Sequence, residues 1–252
     1  GHHHPGDGKS NSAKYVRMWF AIKEKAPRAN PVGLVYDRIS RHFAETRVNV
    51  WPPTERFLKE ISPCRVGDLG CGNGRGILRS LELNCSVVAI DSSKGQLETA
   101  RRSISGSFPD GDVDYIHGDI SDLPLPDGCM DNAIMVATLH HLGDRGERIK
   151  ALNEAHRCLK EGGLIQISVW TWDQERFRKV HDLRESGEIP KSEWDGDSPG
   201  DFLVPWRRGE YALRFYHLYG PGELEKELDE SGLIRIRSYF DGRNHWAECI
   251  RR

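Results

Sequence analysis

The chain has 252 residues, 29% charged and 37% hydrophobic, with a formal net charge of −2. That length fits one large domain, or one domain with an elaborated cap, and buries a full core. No apolar run is long enough to span a membrane and no signal peptide is visible, so no membrane partner is expected and a cytoplasmic location is.

The six cysteines at 64, 71, 85, 129, 158 and 249 are scattered without a C-x-x-C pair. That pattern suits a reducing compartment and implies no metal site in this chain. The small net charge conceals two biased segments. Lys14 to Glu60 holds ten Lys or Arg against five acids, and Asp182 to Asp201 holds seven acids against two bases.

In chain order, Gly1-His2-His3-His4 and the small polar residues up to about Ala13 read as an expression-tag remnant. Residues 14–252 are expected to form one domain, with 14–62 and 171–219 as cap segments. Val35, Ile39 and Phe43 have helical spacing within Val32–Thr46, and Pro53–Ile61 reads as a further helix. Strand and helix signals then alternate: strand Arg65–Leu69, helix Gly76–Leu83, strand Ser86–Asp91, helix Lys94–Ser103 behind an N-cap at Ser92 or Ser93. Val113–His117 is a third strand, ending at Gly118-Asp119, and Asp131–Ala137 a fourth. Arg145–Leu159 is an amphipathic helix stopped by Glu161-Gly162-Gly163, and Leu164–Trp170 is strand five.

The insertion Thr171–Tyr219 reads as polar loop to Gly200, then as aromatic and basic. Pro221–Ser231 is a helix, and strands Leu233–Phe240 and Trp246–Ile250 close the chain around a turn at Asp241–Asn244. Such alternation predicts an α/β, doubly wound, seven-stranded, mostly parallel sheet. Ligands bind such sheets beyond the carboxyl ends of the strands, where both cap segments are placed to form a lid.

The densest signal is Val66-Gly67-Asp68-Leu69-Gly70-Cys71-Gly72-Asn73-Gly74, followed by a second strand ending on Asp91. A glycine turn lets the backbone approach a nucleotide-like ligand, and the distant carboxylate can accept from both ribose hydroxyls. The spacing differs from the G-x-G-x-x-G of dinucleotide sites. Asp68 before the turn would repel a pyrophosphate and attract an amino group. These residues resemble the class I S-adenosylmethionine-dependent methyltransferases, over roughly Arg65 to Trp170. The resemblance implies a Rossmann-like methyltransferase fold and S-adenosyl-L-methionine as cofactor. It assigns Asp68 and the backbone of Gly70, Gly72 and Gly74 to the methionine portion, Asp91 to the ribose, and Asp119 and Ile120 to the adenine, with Cys71 and Ser92 as further cofactor-binding residues.

After strand four comes Ala137-Thr138-Leu139-His140-His141-Leu142. It lacks the Asn/Asp-Pro-Pro-Tyr/Phe signature of exocyclic-amine methylation and the Pro-Cys nucleophile used on pyrimidine C5. Two histidines there suit an oxygen nucleophile or an anion, with His141 expected to face the substrate ahead of His140.

The flanks resemble a narrower family. Tyr36-Asp37-Arg38-Ile39-Ser40-Arg41-His42-Phe43-Ala44-Glu45-Thr46-Arg47, Trp51-Pro52, Val169-Trp170-x-x-Asp173-Gln174-Glu175, Leu203-Val204-Pro205-Trp206 and Arg214-Phe215-Tyr216-His217-x-Tyr219-x-x-Gly222-Glu223-Leu224 are similar to the tRNA wobble-uridine 5-carboxymethyl methyltransferases. That resemblance implies esterification of the 5-carboxymethyluridine carboxylate in a tRNA anticodon loop. It also implies a separate small zinc-binding activator protein as heterodimer partner. Arg47, His141, Arg214 and His217 are the candidates to hold the carboxylate. Trp51, Trp170, Trp206, Tyr216 and Tyr219 are candidate stacking rings, and Arg41, Arg47, Arg207 and Arg208 candidate phosphate contacts. Two alternatives share the core: a methyltransferase of a small acid or quinone-like metabolite, and a silent paralogue that binds cofactor or tRNA without turnover.

Overall fold

A computed structural model of the chain describes residues 49–206 and 212–252. The predicted helix over Val32–Thr46, and Arg41, Arg47, Arg207 and Arg208, lie outside the described residues.

Helix α1 (Pro52–Ile61) opens on Pro52, whose fixed φ suits a first helical turn. Strand β1 (Arg65–Leu69), α2 (Arg75–Glu82), β2 (Ser86–Asp91), α3 (Lys94–Ser107), β3 (Val113–His117), β4 (Asn132–Val136), α4 (Arg145–Cys158) and β5 (Leu164–Trp170) follow. After the insertion come α6 (Glu223–Glu230), β8 (Ile234–Phe240) and β9 (Asn244–Ile250). The seven strands lie in the order β3-β2-β1-β4-β5-β9-β8. The first five strands run parallel, and β9 joins antiparallel to both β5 and β8. The predicted doubly wound, seven-stranded sheet is therefore the fold, with the strand order reversing between β1 and β4.

Apolar runs such as Val87-Val88-Ala89-Ile90 are continuous because both sheet faces are covered. Val87 and Ala89 join a cluster with Phe57, Ile77 and Leu97 under α1 to α3. Val88 and Ile90 point the other way, into a cluster with Leu152, Ala155 and Leu228 under α4 and α6. Gly67 is part of that packing, since a Cβ there would lie 2.0 Å from Met130 Sδ.

The insertion differs from expectation. Instead of a polar loop to Gly200 it begins with helix α5 (Glu175–Glu185) and ends in a hairpin of β6 (Asp201–Trp206) and β7 (Ala212–His217). The helix buries Phe177, Val180, His181 and Arg184, a regular helical face. Two of those four are polar types, so the stripe is hidden from hydropathy. Phe177, Val180, Ile189, Phe202, Val204, Tyr216 and Leu218 give the cap its own small core. Arg184, 3% exposed, donates to the carbonyls of Pro199 (3.1 Å) and Asp201 (2.5 Å) and pairs with Asp195 at 3.2 Å. Asp195 and Asp201, two of the seven acids in the acidic segment, are consumed inside the cap.

Candidate functional site

The glycine turn sits at the carboxyl end of β1, beside the reversal of strand order. The N–H groups of Gly70 and Cys71 both donate to the Ile90 carbonyl, at 2.8 and 2.9 Å, which folds the turn across β2. Gly70 has φ +86° and Gly74 φ +94°, conformations that disfavour any side chain. A Cβ on Gly72 would meet nothing within 4 Å, leaving open space above the turn.

Asp68 is 5% exposed. Burial, with the charge of Asp91 added, pushes its carboxyl up to about 7. Gly76, in the first turn of α2, makes room for it: a Cβ there would lie 2.5 Å from Asp68 Oδ2. A buried carboxylate beside an open backbone turn fits the ammonium group of an amino-acid-bearing cofactor. Cys71 is 7% exposed and its thiol is driven well up by burial and then by the charges of Asp91 and Asp68, so it packs as an apolar residue.

Asp91 accepts from Gly72 N–H (2.9 Å) on one oxygen and from Ser93 N–H (2.8 Å) on the other. These bonds hold the carboxylate at the carboxyl end of β2, where ligands of such sheets bind. Ser92 is exposed, and its carbonyl contacts His117 Nε2 at 2.9 Å. The N-cap of α3 is Ser93, which accepts from Gln96 N–H. Asp119 is exposed and its Oδ1 accepts from both the N–H and the hydroxyl of Ser121, at 2.9 Å each, so it organises its own turn. Ile120 is 7% exposed and belongs to the α4/α6 core.

The two histidines lie in a short 3-10 turn, Leu139–His141, after β4. That turn leans on the glycine turn: a Cβ on Gly70 would be 2.3 Å from Thr138 Oγ1. His140 is 3% exposed and its Nδ1 accepts from Trp170 N–H at 2.9 Å. His141 is half-buried and its Nδ1 donates to the Phe215 carbonyl at 3.1 Å. When neutral the two rings therefore hold opposite tautomers, the proton on Nε2 in His140 and on Nδ1 in His141. Tyr216 touches both, with ring centroids 4.9 Å from His140 and 4.8 Å from His141, and it meets Trp170 at 5.2 Å.

Arg214, 7% exposed, has its Cζ 5.3 Å from the Tyr216 ring, which brings it to the same cluster as His141. His217 is placed differently. Its Nδ1 lies 2.7 Å from Asp201 Oδ1 and its Nε2 2.5 Å from Glu223 Oε2. With both nitrogens engaged by protein carboxylates, His217 is a structural bridge and has no nitrogen left to hold a substrate. Of the expected stacking rings, Tyr219 is fully buried with its hydroxyl on Glu227. Trp51 packs edge-on against Trp246 at 5.9 Å. Trp170 stays partly open, whereas Tyr216 is 3% exposed.

Residues not singled out in the sequence also belong here. Gly76 and Thr138 shape the cofactor floor. Arg176 lies over Phe177 with its Cζ 4.4 Å from the ring, and the like charge of Arg214 reaches it. An arginine in a polar insertion carries no signal of its own, and only the fold brings it beside Arg214. No group of His, Cys, Asp or Glu among the described residues could hold a metal ion. No described helix is long and apolar enough to cross a membrane.

Comparison with known proteins agrees with this geometry. Residues 67–167 match the family model described as a methyltransferase domain. An Encephalitozoon cuniculi protein named as a methyltransferase is 34% identical over 199 residues, 78% of this chain and 84% of that protein. A Schizosaccharomyces pombe protein named tRNA (carboxymethyluridine(34)-5-O)-methyltransferase is 28% identical over 84% of this chain and 92% of its own length. Among solved structures, a Methanosarcina mazei SAM-dependent methyltransferase superposes with a TM-score of 0.65 at 20% identity, covering 81% of this chain and 98% of that one. The chain belongs to the S-adenosylmethionine-dependent methyltransferases.

Proposed function

We propose that this enzyme methylates the carboxylate of 5-carboxymethyluridine at the wobble position of tRNA. The observation that carries the reading is the extent of the Schizosaccharomyces pombe match. It runs over 235 residues, far beyond the 67–167 domain, and so takes in cap segments that a shared cofactor core would not explain. That relative is named for the carboxymethyluridine chemistry.

The chemistry asks little of the protein. A carboxylate is ionised at neutral pH, so its oxygen attacks without a general base. When bound, S-adenosylmethionine supplies an electrophilic methyl group on a good leaving group. The chain's own task is to align the two partners and exclude water. Asp68 and the Gly70–Gly74 backbone hold the cofactor's amino-acid end, Asp91 orients its ribose, and Asp119 and Ile120 border the adenine. Arg214, together with His141 donating from Nε2 as the imidazolium while Nδ1–H stays on the Phe215 carbonyl, holds the substrate carboxylate, with Trp170 beside them as a stacking face for the splayed uracil. Arg47, outside the described residues, is retained as a further cation for the same group. A separate small zinc-binding activator protein covers an edge strand of the sheet.

The test is methyl transfer to tRNA from cells lacking this activity, with nucleoside analysis, in the presence and absence of such an activator. Appearance of the methyl ester at the wobble uridine is expected. No product under either condition refutes the reading.

A further inference from the structure

His217 stands at the centre of a buried polar chain that the cofactor and the substrate groups leave unused. From β6, Asp201 reaches its Nδ1 at 2.7 Å; from α6, Glu223 reaches its Nε2 at 2.5 Å. Asp201 is 2% exposed and is itself held by Ser198 N–H on its other oxygen, at 3.0 Å. The second oxygen of Glu223 accepts from Gly220 N–H, also at 3.0 Å. Behind Glu223 stands Arg148 of α4, with Nη2 at 3.8 Å and its Nε on Glu227 at 2.7 Å. Tyr219, whose ring is 5.1 Å from His217, donates its hydroxyl to the same Glu227.

Carboxylates only accept hydrogen bonds. A neutral imidazole has one N–H, so it could satisfy Asp201 or Glu223 but would turn a lone pair on the other. The imidazolium satisfies both. Burial alone would lower the pKa of His217, and Arg148 opposes protonation as well. The hydrogen bonds to Asp201 and Glu223 outweigh both and raise it above the ordinary value.

The bridge has a mechanical consequence. Phe215 and Tyr216 are the two residues before His217 on β7. The Phe215 carbonyl accepts from His141, and the Tyr216 ring touches both histidines of the site. We propose that His217 is a positioning residue: its cationic ring clamps β7 between Asp201 and Glu223, and so sets where His141 and Tyr216 stand at the mouth of the site. The kinetic part of this proposal rests on the function proposed above.

Two variants test it. In His217→Gln, amide hydrogen exchange over residues 212–217 should quicken at least tenfold. The kcat for methyl transfer should fall at least tenfold, while the Kd for S-adenosylhomocysteine changes less than twofold, because Asp68 and Asp91 are untouched. Asp201→Asn keeps an acceptor for Nδ1–H but removes a charge. It should hold kcat within threefold at neutral pH and move the alkaline limb of the rate profile to lower pH. The limb arises because the clamp is complete below the unfolded histidine value near 6.5 and is lost as pH rises through the raised folded value. Wild-type exchange or wild-type kcat in His217→Gln overturns the proposal. Lost kcat with unchanged exchange also overturns it, since His217 would then touch substrate directly. If His217→Gln does not fold, an unmoved alkaline limb in Asp201→Asn overturns it alone. A wild-type enzyme that leaves tRNA unmethylated would refute the functional reading, while the exchange comparison would still decide the clamp.

Discussion

If Asp68 holds the cofactor's ammonium as proposed, its carboxyl should tie cofactor affinity to pH. Its pKa is pushed to about 7 by burial and by Asp91, and the cofactor's ammonium needs the carboxylate form. For a single group at about 7, the ionised fraction falls roughly tenfold between pH 8 and pH 6, which weakens binding by about 1.4 kcal/mol. The α-amino group of the ligand stands beside a free carboxylate and so loses its proton above the about 7.7–8.0 of a chain terminus, and affinity should fall again there. Isothermal titration of S-adenosylhomocysteine from pH 6 to 9 should therefore give a bell with its maximum between the two values.

The same shift bears on stability. A carboxyl whose folded pKa lies above its ordinary 3.8 favours folding below that value, and the contribution is lost as pH rises to about 7. Above 7 the ligand-free protein carries a buried charge costing on the order of 4 kcal/mol, which a bound ammonium offsets. Asp68→Asn should weaken binding at pH 8 at least tenfold, abolish the acid limb and stabilise the ligand-free fold above pH 7. A flat affinity between pH 6 and 8, or an acid limb that survives in Asp68→Asn, would refute this reasoning.

Further outcomes are expected. Gly76→Ala places a Cβ 2.5 Å from Asp68 Oδ2 and 2.9 Å from Ile134 Cδ1, so the Kd for S-adenosylhomocysteine should rise at least tenfold with about 1–3 kcal/mol lost in denaturant unfolding. Arg148→Ala leaves Glu227 buried without its cation and strips a donor from the carbonyls of Leu142 and Gly143, costing about 3–5 kcal/mol by the same assay. His141→Ala should lower kcat at least tenfold and spare cofactor affinity; unchanged turnover would remove it from the substrate site. Binding of tRNA should weaken as salt rises, with a log–log slope of about −0.7 per phosphate contacted if the target is single-stranded. A salt-independent Kd would point to a small-molecule substrate.

Much of the core was legible in the sequence. Strands β1, β2, β3 and β5 begin and end where alternation and glycine punctuation place them. The helix ends moved by a few residues: α3 runs to Ser107 instead of Ser103, because Ile104 still packs on the core before Phe108 ends the turn. The cap was not legible. Its helix α5 buries His181 and Arg184, whose partners, Trp172 stacked at 3.9 Å and Asp195 at 3.2 Å, lie just outside the helix on either side of it. The role of His217 was misread for the same reason. A histidine in an aromatic, basic stretch resembles a substrate contact until the carboxylates of Asp201 on β6 and Glu223 on α6 are seen closing on it.

The division follows from the range of the forces involved. The sequence by itself determined the sheet and the cofactor class, since strand periodicity, the Asp68–Gly74 spacing and the acid at Asp91 are local patterns that a parallel sheet turns into a site. Only the tertiary structure decided which polar groups face the ligand and which hold the cap together. Asp68 and Glu227 are both buried acids, yet one lies beside an open turn and the other is closed by Arg148 and Tyr219. That difference depends on neighbours brought together from up to 79 residues away, and no stretch of sequence around either acid contains it.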